Sequence, residues 1–291
     1  MATLSIRLPG EFTDPSMPIL TRDPLLDGDN GGVQCLYDLA SLYSWPSQGA
    51  PTTGQVVYDL TTKNRNATWN VDPSSIAPQW KAAVKGMRFD GCTRGAIDSG
   101  TGIRIPPAVM AAIWNGGSVR QAMLVAYLEL PTNADYYQNA GIRAFSDVDE
   151  AYTTAGKSWM ILGQTYPAVR RLASRRVYGV NLINAIEADV TGHVGLLCQV
   201  ASWWNGTQLH LRLKSTAGTT TATPVAAAQP ATVDFSGEHY DFGMVGAFPC
   251  TATDRNWGVC RVFIEDTQTS NRIITTVLDE DWTRFAASRG I

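Results

Sequence analysis

The sequence predicts an all-β protein: two antiparallel sheets packed face to face, followed by a short C-terminal helix. Three observations lead there. Short apolar or alternating runs outnumber helical periodicities. Clusters of Gly, Pro, Asn and Asp separate those runs. An Asn-Gly pair at 205–206 joins two of them, which is the strongest short hairpin signal because that turn favours positive φ.

The first element follows "DGDNGGVQCLYDL" (27–39). Asp27, Asp29 and Asp38 are spaced somewhat like ligands of a calcium loop of about twelve residues. An EF-hand needs a helix on each side and a bidentate Glu at its end. Here Pro24 precedes the loop, "VQCLYDL" reads as a strand, and Gly31 occupies a ligand position. The expected structure is therefore a Gly/Asn turn launching a strand. Asp27 and Asp29 remain candidates only for a calcium ion at a loop rim.

"PPAVMAAIW" (106–114) has proline where a helix tolerates it and predicts two helical turns. "QAMLVAYLEL" (121–130) predicts a strand buried on both faces and stopped by Pro131. "RRLASRR" (170–176) holds four arginines broken by Leu172, Ala173 and Ser174, and solvated arginines on a strand or loop are expected. "HVGLLCQVASWW" (193–204) is followed by Asn205-Gly206 and then by "TQLHLRLKS" (207–215). In that last run Leu209, Leu211 and Leu213 share one face, while Gln208, His210, Arg212 and Lys214 share the other. "STAGTTTATPVAAAQPATV" (215–233) buries little and is expected as a mobile loop or extended arm. "GVCRVFIED" (258–266) and "NRIITTVL" (271–278) predict a second hairpin joined by "TQTS". "DEDWTRFAASRG" (279–290) predicts a helix, with acids first, Arg289 and Gly290 last, and Leu278, Trp282 and Phe285 on one face.

Composition bounds the function. The chain has 291 residues and a net charge of −3. With no basic cluster beyond 170–176, nucleic acid is not an expected partner. No apolar run reaches the roughly 18 residues of a membrane span. The N-terminus, "MATLSIRLPGEF", lacks the apolar core of a signal peptide, so synthesis in the cytosol is expected. Cysteines 35, 92, 198, 250 and 260 are odd in number and form no CxxC pair, so reduced, buried thiols are expected rather than disulfides or zinc.

Four stretches carry a family resemblance. "GQVVYDLTTKNRNATW" (54–69) resembles the opening of laminin-G-like, concanavalin A-like jelly rolls. "GMRFDGCTRGAIDSGTGIRIP" (86–106) is similar to the next signature of that family, "AMLVAYLELPTN" (122–133) to its long central strand, and "RVFIEDTQTSNRI" (261–273) to its late hairpin. The resemblance implies a two-sheet antiparallel jelly-roll sandwich. It divides the chain into an N-terminal extended segment leading into the first strands (1–53), the sandwich (54–278) and a C-terminal helix (279–291).

The glucanase relatives in this family carry Glu-x-Asp-x-x-Glu on one strand, which aims its carboxylates into the cleft. The nearest match is Glu187-Ala188-Asp189, and Gly192 stands where the third acid would be. His193, His210 and His239 are far apart in sequence, and no G-x-S-x-G occurs. No catalytic residue is assigned and no cofactor is expected. The resemblance is to sandwich domains of bacteriophage virion proteins. The expectation is a non-catalytic structural protein of tail, fibre or head, assembled in the host bacterial cytoplasm. Its expected partners are other virion proteins, further copies of itself and a host surface glycan, with no membrane. A stand-alone carbohydrate-binding module is the alternative, and a glycoside hydrolase comes third. Trp203 and Trp204, adjacent at a hairpin end, are the candidate sugar platform. Trp282 and Phe285 are the candidate assembly contacts.

Overall fold

The computed structural model describes residues 23–71, 77–90, 101–115, 118–119, 121–132, 142–143, 158–166, 169–179, 182–228, 240–244 and 255–291. The strands in the first half of the chain are β1 (Val33–Asp38), β2 (Val56–Val57), β3 (Ala67–Asn70), β4 (Gln79–Lys81), β5 (Gly86–Asp90), β6 (Thr101–Ile105), β7 (Trp114–Asn115), β8 (Ser118–Val119), β9 (Ala122–Glu129) and β10 (Ile142–Arg143). The second half adds β11 (Ser158–Tyr166), β12 (Val169–Gly179), β13 (Leu182–Asp189), β14 (Leu197–Trp204), β15 (Gln208–Ser215), β16 (Gly218–Thr221), β17 (Val225–Ala226), β18 (Tyr240–Met244) and β19 (Arg255–Asp266). Three α-helices are described: α1 (Pro107–Ile113), α2 (Thr267–Ser270) and α3 (Ile274–Arg289).

The protein is an antiparallel β-sandwich with a C-terminal helix, as the sequence predicts. One layer is a large sheet ordered β16-β15-β14-β9-β19-β5-β4. Long β19 pairs with β9 on one side; on the other it pairs with β5 through its first half and β1 through its second. The second layer holds two sheets, β10-β18-β6-β3-β2 and β11-β12-β13. Leu124, Val200, Leu211 and Ile264 of the large sheet pack between the layers with Trp69, Ile103, Phe242, Trp159, Leu172 and Ile186 of the second layer.

The outer face of the large sheet is also covered. Met123, Val125, Tyr127, Ala201, Trp203 and Phe263 meet Leu25 and Leu26 of a 3₁₀ turn and Val277, Leu278, Trp282 and Phe285 of α3. Burial on both faces explains why β9 reads as an unbroken apolar run. Bulges adjust the inward alternation. In β19 the register shifts between Val259 and Arg261. Trp257 and Val259 therefore face the inner core, and so do Val262 and Ile264, while Cys260 and Phe263 face the helix side.

Several expectations meet the structure directly. Helix α1 and the strand at 122–129 form where the sequence puts them, and β14 pairs with β15 from Gln199↔Lys214 to Trp204↔Leu209. The hairpin expected at 258–278 does not form. Its second half is helical: the Asp266 carboxylate accepts from Thr269 N (2.9 Å) and caps α2, and Asn271 ends that turn at φ 52°. Helix α3 then starts at Ile274, five residues before the predicted start. The β-branched run Ile273–Val277 favours a strand locally, but the periodic set Leu278, Trp282 and Phe285 has an apolar sheet face to cover, and packing decides.

The stretch 215–233 is not free over its described part. β16 and β17 extend the edge of β15, and the buried Ala227 takes the indole N–H of Trp204 on its carbonyl (2.5 Å). Residues 229–233 lie outside the described residues. The arginine run is not simply solvated either. Leu172, Ser174 and Arg176 alternate inward along β12, and Arg176 is fully buried with its guanidinium 4.3 Å over the Trp204 ring. Residues 33–38 and α3 share one large sheet and its outer core with strands of 54–278. Among the described residues, no helix is long and apolar enough to cross a membrane.

Candidate functional site

The tryptophan pair lies where β14 enters its turn. Adjacent strand residues point to opposite faces, so one ring goes to each core. Trp204 packs between the layers. Trp203 lies on the outer face and stacks on cross-strand His210, with centroids 4.7 Å apart and planes at 6°. Trp203 is 7% exposed and Trp204 3%. Neither presents a ring to solvent, so the pair is not a surface platform. The turn beyond them uses only one positive φ, at Gly206 (92°). Asn205 acts through its side chain instead: its carbonyl oxygen accepts from Thr207 N (3.0 Å) and Gln208 N (2.8 Å).

Trp282 and Phe285 lie on the buried face of α3 and pack on their own sheet. The Tyr127 ring is parallel to Trp282 at 6.3 Å, and its centroid is 3.9 Å from that of Phe285. The expected assembly role for these two side chains is therefore corrected: they are core residues of one chain, because α3 covers an apolar sheet face directly beneath it.

A buried polar chain fastens this packing. Gln199 Nε2 donates to Tyr127 Oη (2.7 Å) and to the Leu278 carbonyl (2.9 Å). Tyr127 donates to Asp281 Oδ2 (2.5 Å), and Arg261 Nη2 donates to Asp281 Oδ1 (2.9 Å). Arg261 Nη1 also reaches Asp23 (2.6 Å) and Asp38 (3.2 Å), and Arg289 ties Asp38 to the C-terminal turn of α3 (3.1 Å). Burial pushes the Asp281 carboxyl above its ordinary value despite Arg261. At Asp23 burial acts the same way, but the charge and hydrogen bond of Arg261 outweigh it and hold the carboxyl below its ordinary value. Burial likewise raises the Tyr127 phenol. A cavity of about 180 Å³ opens beside these groups, lined in part by Asp23, Asp38, Arg261 and Asp281. Its charged walls are already paired, so the cluster reads as a clasp between helix and sheet rather than as a reactive centre.

The remaining candidates are held by local bonds. Asp29 accepts from Gly32 N through its carbonyl (2.6 Å) and from Val33 N through its carboxylate (3.2 Å), with Gly28, Asn30 and Gly31 all at positive φ. This is the Gly/Asn turn expected at 27–33. Asp27 lies exposed beside it. Among the described residues, no group of three metal-ligating side chains converges. Glu187 pairs with Arg171 (2.8 Å), and Asp189 caps Thr191 N (2.8 Å). His193 is buried between Ser215 Oγ and Thr220 Oγ1, each 2.8 Å from a ring nitrogen, and so fastens the turn at 191–193 to β15 and β16. His210 takes a hydrogen bond from Asn205 Nδ2 (3.1 Å). His239, Cys92 and Cys250 lie outside the described residues. Cys35, Cys198 and Cys260 are free and buried, as expected, and burial pushes the thiols of Cys198 and Cys260 up to about 12.

One surface feature escaped the sequence reading. Leu42, Tyr43 and Tyr58 are exposed large apolar side chains of the segment 39–60. Tyr58 N donates to the Ser44 carbonyl (2.8 Å), and Ser44 Oγ donates back to the Tyr58 carbonyl (2.7 Å). The available signal was the echo Tyr37-Asp38-Leu39 and Tyr58-Asp59-Leu60. Each aspartate caps a turn, Asp38 on Ala40 N (2.9 Å) and Asp59 on Thr61 N (3.0 Å). These turns bend the chain so that the tyrosine-bearing stretches meet.

No protein-family model and no curated protein sequence matches the chain. Parts of the chain are similar to solved structures. A Trypanosoma rangeli sialidase in complex with 2,3-difluoro-KDN is 15% identical at a TM-score of 0.44, covering 86% of this chain and 33% of the sialidase. A legume lectin-like domain from Entamoeba histolytica is 8% identical at a TM-score of 0.35, covering 74% and 88%. The CBM2 module of the evolved Dit of Lactobacillus casei BL23 phage J-1 is 13% identical at a TM-score of 0.37, covering 68% and 82%. The chain spans a third of the length of the sialidase it matches.

Proposed function

We propose that this protein is a non-catalytic structural component of a bacteriophage virion, a lectin-like sandwich that holds neighbouring virion subunits and meets glycans of the host surface. The supporting observation is the commitment of six carboxylates among the described residues. Asp23, Asp38 and Asp281 are bound to arginines, Glu265 to Arg272 (2.7 Å), Glu129 to Lys81 (2.6 Å) and Glu187 to Arg171. A retaining or inverting glycosidase needs two carboxyl groups facing one another across an open cleft. The carboxylates of these pairs are instead tied into helix–sheet and strand–strand joints. A body closed in this way suits a load-bearing or binding role.

The test is direct. Mass spectrometry of purified phage particles should detect this chain at a fixed ratio to the major capsid or tail protein. Its absence from intact particles would remove the virion assignment. Release of reducing ends from a polysaccharide, abolished by Glu187→Gln, would replace it with a hydrolase.

A further inference from the structure

We propose that the clasp beneath α3 is a proton-operated lock: Asp281 takes up a proton in the folded protein as the solution turns mildly acidic, and the helix is then held more firmly than when that carboxyl is ionised.

The clasp carries more acid than base. Among the described residues, Arg261 faces three carboxylates: both oxygens of Asp23 (2.6 and 3.1 Å), Asp38 Oδ2 (3.2 Å) and Asp281 Oδ1 (2.9 Å). Arg289 brings a second buried guanidinium, which bonds to Asp38 (3.1 Å). Arg284 lines the same cavity, but its side chain is 38% exposed and pairs with the exposed Glu280 (3.6 Å), so water screens it. Three acids against two buried guanidiniums leave one negative charge in excess within the joint. Such a charge is costly away from water, and a carboxyl removes it by binding a proton.

Asp281 is the acid placed to do so. Its side chain is 3% exposed, against 19% for Asp23 and 16% for Asp38. Asp23 has both oxygens on Arg261, and Asp38 bonds to two arginines. Asp281 meets one arginine, and its other oxygen meets the Tyr127 phenol (2.5 Å). Burial keeps that phenol neutral, and the remaining neighbour, Gln199, has no charge to offer. Burial drives the Asp281 carboxyl upward, whereas at Asp23 it is outweighed by Arg261. Asp281 also lines the cavity of about 180 Å³, which gives a proton a path from water while α3 stays in place.

A carboxyl whose folded value stands above its unfolded one binds protons preferentially in the folded chain. Its contribution to stability is complete below the ordinary value of 3.8 and is lost as pH rises through the folded value. This is opposite in sign to the effect of His193 and His210, so the lock is read against a variant that shares those histidines.

The full-length chain, labelled with carbon-13 at its aspartate carboxyls, is titrated by NMR, with Asp281 and Asp23 assigned through their own backbones. Asp281 should titrate above 3.8 and Asp23 below it. Melting temperatures of the wild type and Asp281→Asn are then compared between about pH 8 and about pH 4. The asparagine is neutral throughout, so the difference should move in favour of the wild type as pH falls. An Asp281 carboxyl that titrates at or below 3.8 would overturn the lock, and so would a melting difference that stays constant with pH. If Asp281→Asn does not fold, the titration of the wild type decides alone.

Discussion

Single residues carry much of the fold's specification. Gly206 turns the β14–β15 hairpin at φ 92°, and the nearest atom to an added Cβ is 3.6 Å away. The conformation rather than crowding is therefore what a side chain would meet. Gly206→Val should destabilise the protein by about 1 kcal/mol or more, measured by urea unfolding. Arg261 is more consequential, since it holds Asp281 and Asp23 in a buried setting. Arg261→Ala leaves those carboxylates uncompensated and should cost about 3–5 kcal/mol. The histidines set a pH dependence. Burial lowers both His193 and His210 below their ordinary value of 6.5. The unfolded chain then binds protons that the folded chain refuses. Stability from this source is complete above that value and falls as pH drops through it toward the depressed folded values. His193→Asn should flatten the slope of unfolding free energy as pH falls below about 6.5, and an unchanged slope would show that His193 does not titrate with folding.

At the scale of elements, helix α3 separates what the sequence made legible from what it did not. Its amphipathic face, Leu278, Trp282 and Phe285, was readable, and so was its end. Gly290 at φ 70° donates to the carbonyls of Ala286 and Ala287. Its start was not readable, because Ile273–Val277 has strand-like composition and only the sheet beneath decides in favour of a helix. The cap formed by Asp266 and Asn271 was present in the sequence and would have marked α2. The β14–β15 hairpin and buried β9 were legible because periodicity and turn residues agree there. The inward turn of Arg176 was not, since an arginine over a tryptophan depends on a strand from the opposite layer. The meeting of the stretches around Ser44 and Tyr58 was not legible either, since it depends on hydrogen bonds between residues fourteen apart. Removing the helix side chains tests the element: Trp282→Ala or Phe285→Ala should each cost about 3–5 kcal/mol in denaturant unfolding, as for a core aromatic. A loss below about 1 kcal/mol, the range of surface substitutions, would place them outside the core.

At the scale of the molecule, this chain covers both faces of its own large sheet. The second layer covers one face; α3 and the turn at Pro24–Leu26 cover the other. The polar chain from Gln199 through Tyr127, Asp281 and Arg261 to Asp23 joins all three parts of the outer layer. A body built this way closes the outer core of its large sheet with its own residues. Deletion of 279–291 would bare Tyr127, Val125 and Phe263 and strand Arg261 without Asp281. The measurement is a thermal melt of that truncated chain beside the full-length protein, followed by near-ultraviolet circular dichroism. The cooperative transition should be lost or moved down by many degrees. A truncated chain that melts cooperatively at the full-length temperature, yet no longer associates with its neighbours, would contradict this and return α3 to an assembly role.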